Sequence, residues 1–120
     1  MKFLLVLHNN PAVISALGPE EQQKLMDGHG AFIEATQKSG ELIVTQALGD
    51  PSQSAVVRVR NGVPVVSDGP YVEAKEFLGG YYLVDVASRE RALELAAMIP
   101  DAAIEGLGVE VRGVEFADGL

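Results

Sequence analysis

Ser67-Asp68-Gly69-Pro70-Tyr71-Val72-Glu73-Ala74-Lys75-Glu76-Phe77-Leu78-Gly79-Gly80-Tyr81-Tyr82-Leu83 sets a turn, alternating charges, a Gly-Gly pair and three tyrosines between two apolar runs. Asp-Gly-Pro is a turn tripeptide: the Asp side chain bonds the backbone ahead of it and Gly supplies an unusual backbone angle. Gly79-Gly80 suits a bulge or a close backbone approach at the entrance of a strand. Beyond it, strand alternation sends Tyr81 and Tyr82 to opposite faces of a sheet, one ring to the core and the other to the open face.

Upstream of this stretch, Ala55 to Arg60 and Val63 to Ser67 flank Asn61-Gly62, a pair suited to the positive φ angles of a type I′ turn, so the segment reads as a β-hairpin. Leu42-Ile43-Val44 opens a strand that runs to about Leu48, before Gly49-Asp50-Pro51 breaks it. Gly18-Pro19-Glu20-Glu21 starts a helix with proline in the first turn and acids at the positive end of the dipole; Gly40 stops it after about Ser39. Phe3 to Leu7 is an unbroken apolar run, expected as a strand buried on both faces, and Asn9-Asn10-Pro11 marks a loop after it.

Downstream, Tyr81 to Val86 reads as a strand. Ser88 caps a helix through Leu93, Leu95, Ala96 and Ile99 that Pro100 ends, and Val109, Val111 and Val114 mark the last strand. With the hairpin set aside, the order is strand, helix, strand, strand, helix, strand. That is the split βαββαβ arrangement of an α+β ferredoxin-like fold with an inserted hairpin.

The chain has 120 residues, enough for one core, and is expected to form a single domain over residues 1–120. Its formal charge of −8 argues against direct contact with nucleic acid, since phosphates would be repelled and no basic patch offsets the excess. With no cysteine, thiol chemistry, disulfides and thiolate metal sites are excluded. The opening apolar run lacks the length and cleavage site of a signal peptide, and nothing approaches a transmembrane span, so a cytoplasmic location without membrane contact is expected.

The stretch from Asp68 to Leu83 resembles the signature of the YCII-related family, in particular its DGPF subgroup, where an Asp-Gly-Pro-Phe turn precedes a Lys-Glu pair and Leu-Gly-Gly. Val57-Arg58-Val59-Arg60-Asn61-Gly62 is similar to the family's hairpin. Tyr71 stands where the subgroup usually has Phe, Ala74 where Thr is frequent, and Gly113 where Pro is common. The resemblance implies a homodimer in which two sheets close a dimeric α/β barrel. It also implies a His-Asp pair as the reactive centre, and it suggests an alternative sigma factor as a transcription-linked partner.

His29 lies on the first long helix, in an apolar arc with Leu25, Met26, Phe32 and Ile33, and is expected to point inward. Either it is a structural histidine bonded to backbone, or it is an acid-base group. The spacing of His29, Phe32 and Gly40 resembles that of the wider family's histidine. Asp68 is the expected carboxylate partner, although turn formation is its first reading; Asp50 and Glu41 compete for the role.

Tyr71, Lys75, Glu76, Tyr82 and His8 are the candidate ligand-binding residues. For Lys75 and Glu76 the alternative is an ordinary solvated surface, and for His8 a solvent-facing strand end. Two histidines far apart make no metal-ligand pattern, and no cofactor motif occurs, so neither a metal nor a cofactor is expected. Two functions remain. One is a dimeric small-molecule-binding or regulatory module, favoured because no strong catalytic motif is present. The other is a small lyase, isomerase or hydrolase using His29. The two differ in whether the imidazole is sealed in the core or opens into a pocket.

Overall fold

Lys2–Asn9 forms β1, the strand that the rest of the sheet is built around. In the computed structural model, which describes residues 1–69 and 77–120, it is followed by α1 (Pro11–Ala16), α2 (Pro19–Ser39), β2 (Leu42–Ala47), β3 (Ala55–Arg60), β4 (Val63–Asp68), β5 (Phe77–Asp85), α3 (Arg89–Met98) and β6 (Gly108–Gly113). Single 3-10 turns occupy Pro51–Gln53 and Pro100–Ala103. The main sheet has the order β2-β5-β1-β6 with antiparallel pairing throughout, the ferredoxin-like arrangement, and β3 with β4 makes a separate two-stranded sheet. No described helix is long and apolar enough to cross a membrane.

One face of the sheet packs on α2 and α3. Phe3 and Leu5 of β1, Tyr82 and Val84 of β5, Phe32 of α2, and Leu95 with Ile99 from the α3 side make the buried cluster. Each fully buried Leu or Ile contributes about 1.5–3 kcal/mol through removal of apolar surface from water. Arg91 Nε and Nη2 donate to both carboxylate oxygens of Glu41, at 2.9 and 3.0 Å, and clamp α3 to the start of β2.

The first helical segment was not legible as such, since Asn9-Asn10-Pro11 reads as a loop. Asn10 Oδ1 accepts from Ala12 N at 3.1 Å and Pro11 takes the first helical position, where its missing N–H costs nothing. The other helices end where their signals lie. Gly40 closes α2 in a left-handed conformation with φ 77°, and Ser88 Oγ accepts from Arg91 N at the start of α3. Met26, expected in the inward arc of α2, is exposed. The arc instead centres on Phe32 and Thr36, because α2 meets the sheet through its C-terminal half.

The hairpin projects from the sheet. Asn61 and Gly62 both take positive φ, 50° and 76°, as a type I′ turn requires. The radius of gyration, 16.3 Å, exceeds the roughly 13–14 Å of a compact chain of this length, consistent with that projection. Gly62→Val should open the hairpin, since a β-branched residue at positive φ costs about 1–2 kcal/mol. Hydrogen exchange should then show about tenfold faster exchange at the β3 and β4 amides with the main sheet unaffected. Unchanged protection in both strands would contradict the turn assignment.

Candidate functional site

His29 stands on α2 one turn before Phe32 and Ile33, which brings its ring over β5. Both ring nitrogens are engaged. Nδ1 lies 2.6 Å from Tyr82 Oη and Nε2 lies 2.6 Å from Asp101 Oδ1. A carboxylate only accepts, so Nε2 carries the proton toward Asp101, and Nδ1 of the neutral ring accepts from the Tyr82 hydroxyl. The result is a linear Asp101–His29–Tyr82 relay.

Each member is held by its own element. Tyr82 sits mid-strand in β5, opposite Leu5 of β1 on one side and Thr45 of β2 on the other. Its ring stacks near-parallel to His29, at 14° with centroids 5.9 Å apart, and meets Phe32 edge-on at 4.8 Å. Asp101 is the second residue of the 3-10 turn that follows α3, and is only 6% exposed. That turn rests against α2 at Gly28, where a Cβ would come within 2.9 Å of Pro100 Cγ. The missing side chain at Gly28 therefore lets Pro100 approach and sets Asp101 beside His29.

The relay opens into a cavity of about 370 Å³, lined by His29, Tyr82 and Asp101 together with Leu7, Asn9 and Thr45 among others. The His29 side chain keeps 24% of its surface accessible, so the imidazole is not sealed in the core. Burial first, and then the negative charge of Asp101, push the Tyr82 phenol up to about 12, with Thr45 partly opposing them. Near neutral pH the phenol is protonated, as a relay donor must be.

The carboxylate at the imidazole is thus Asp101, where Asp68 was expected. Asp68 ends β4, paired with Ala55 in the hairpin sheet and exposed. Its competitors are engaged elsewhere: Asp50 accepts from Ser52 N, and Glu41 binds Arg91. His8 projects away from the cavity, with Nε2 2.7 Å from Glu110 Oε1. Tyr71, Lys75 and Glu76 lie outside the described residues. Asp101 escaped notice because it is distant in sequence and follows a proline that reads only as a helix stop. An acid in the first turn after Ile99-Pro100 was its only local signal.

A ferredoxin-like α+β chain with a carboxylate-imidazole-phenol relay facing a small cavity is the class that fold and site define. The chain belongs to the YCII-related domain family, whose model matches residues 1–117. It is 32% identical over 112 residues to an uncharacterized protein of Rhizobium meliloti (strain 1021), a match spanning 93% of this chain and 90% of that protein.

The raised phenol has a measurable consequence. Between pH 10 and about 12 the unfolded chain loses the Tyr82 proton while the folded chain keeps it. The contribution is therefore fully present below pH 10 and falls by about 1.4 kcal/mol per unit above it. Tyr82→Phe should flatten that part of the stability profile in denaturant titrations. Equal slopes for the two proteins would show that the phenol ionises normally.

Proposed function

We propose that this chain is a small acid-base enzyme acting on a compact organic substrate, with the Asp101–His29–Tyr82 relay as its proton-transfer device. The observation that carries this reading is that the imidazole opens into a cavity while both its nitrogens are ordered by side chains. A purely structural histidine needs only backbone partners and no cavity. Tyr82 is only 2% exposed but lines the cavity, and in the relay its hydroxyl meets the substrate there. As it takes a substrate proton, its own passes to His29 Nδ1, and the imidazolium formed is paired with Asp101. Asp101 orients the ring and stabilises its charged form.

The alternative, a ligand-binding or regulatory module tied to transcription through a sigma factor, requires His29 to be sealed in the core. The accessible imidazole weighs against it. Dimerisation is compatible with both readings. The sheet face opposite the helices carries Leu4, Val6, Val44 and Leu83, and the hairpin exposes Val57, Val59 and Val66. A second copy packed on this face is the cover we propose, closing a dimeric α/β barrel. Sedimentation at micromolar concentration is expected to give a dimer, and a stable monomer would refute the cover.

Catalysis is tested by solvent-deuterium exchange into a panel of small carbon acids, among them cyclohexanone and nitroethane, followed by proton NMR. His29→Gln is expected to lower the exchange rate by about 100- to 10,000-fold with the fold retained. Asp101→Asn, which removes the charge that stabilises the imidazolium, should lower it by about tenfold or more. Wild-type exchange no faster than that of folded His29→Gln would remove the catalytic reading.

A further inference from the structure

Three polar residues line the cavity outside the relay; Thr45 donates to Tyr81 O and Gln46 accepts from the Tyr81 hydroxyl, which leaves Asn9. Its Oδ1 is fully buried and has no hydrogen-bond partner among the described residues. Buried amide oxygens are almost always paired, and one left unpaired costs stability that a structural role does not repay. The opposite end of the amide, Nδ2, has no hydrogen bond either among the described residues, and Asn9 lines the cavity with His29, Tyr82 and Asp101. With Oδ1 buried, Nδ2 is the end of the amide left for a ligand; Asn9 and Gly79 line both this cavity and an adjoining one bounded by Pro11, Ile14, Leu48 and Phe77.

The surrounding backbone is shaped for this side chain. Between β1 and β5, Leu7 pairs with Gly80 and His8 with Leu78, so Gly79 is the extra residue of a β-bulge. A Cβ on Gly79 would stand 2.8 Å from Asn9 Cβ and 3.1 Å from Nδ2. The bulge glycine, which also lines the cavity, thereby leaves the room that the amide occupies. No lysine or arginine is among the described residues lining the cavity, and Asp101 places a carboxylate there. A neutral donor beside a carboxylate suits a substrate that enters neutral; the negative charge that develops on its oxygen is balanced by the imidazolium formed in the same step.

We infer that Asn9 Nδ2 binds the carbonyl oxygen of a neutral, enolisable ketone or aldehyde, which defines the substrate class; this rests on the acid-base reading of the relay. The α-carbon C–H bond breaks as its proton passes to Tyr82 Oη, and the Tyr82 proton moves to His29 Nδ1. The electron pair of the C–H bond becomes the enolate double bond, and the charge collects on the oxygen that Asn9 holds. Return of a proton by the reverse path regenerates the ketone, so the net reaction is exchange of its α-proton.

The test is titration of 15N-labelled protein with cyclohexanone and, separately, with pyruvate, following the Asn9 side-chain amide and the deuterium exchange of the ketone. Cyclohexanone should shift the Asn9 amide resonances and pyruvate should bind at least tenfold more weakly. Asn9→Leu should weaken cyclohexanone binding at least tenfold while leaving the Tm unchanged or higher, since the unpaired oxygen is gone; a structural amide would instead lower it. Asn9→Asp, close in shape but without the donor, should weaken binding similarly. His29→Gln should retain binding and lose exchange. An Asn9 amide unmoved by cyclohexanone, or wild-type affinity in both Asn9 variants, overturns the assignment even if exchange still depends on His29. Binding that depends on Asn9 with exchange indifferent to His29 would instead overturn the relay and leave the carbonyl site standing.

Discussion

An imidazole set between a helix and a sheet must have both nitrogens satisfied, and the arrangement of this protein around His29 follows from that requirement. The ring is about three-quarters covered, and the protein supplies the partners: a phenol from the middle of β5 and a carboxylate from the turn after α3. An unmatched nitrogen there would cost about 1–3 kcal/mol, a large share of the stability of a domain this size. The pair of short bonds also selects one tautomer, with the proton on the Asp101 side. The same two bonds give the ring both its place and its chemical direction.

The requirement reaches outward to residues with no chemistry of their own. Asp101 can meet His29 only if the 3-10 turn lies hard against α2, and Gly28 makes that contact by having no side chain at the Pro100 ring. On the opposite wall, Gly79 bulges from β5 and Gly80 allows the end of β2 to approach, since a Cβ there would sit 2.8 Å from Gln46 O. The Leu-Gly-Gly run thus shapes the cavity wall, and the two tyrosines after it divide between the faces. Tyr82 turns to the relay, and Tyr81 donates its hydroxyl to Gln46 on the other side.

The phenol held near 12 by burial and by Asp101 keeps its proton at neutral pH, so in the proposed reaction it gives that proton up only as the imidazole accepts it. Asn9 adds an unpaired polar atom to a cavity whose other polar groups are paired, a buried oxygen with no partner among the described residues. Buried polar atoms are rarely left so, and this one costs local stability.

Local signals in the sequence determined the elements. Proline and acids at the start of α2, Gly40 at its end, Ser88 before α3 and Asn61-Gly62 in the hairpin each act through a hydrogen bond or φ angle within a few residues. Their order already specifies the βαββαβ path, and the apolar arc of α2 turns His29 inward. The tertiary structure alone decided which acid His29 meets. Asp68 ends β4, paired with Ala55 in the separate hairpin sheet, whereas Asp101, 72 positions from His29, arrives because Pro100 packs on Gly28. A hydrogen bond between residues so far apart depends on packing between elements, and no periodicity or capping pattern within either element encodes it.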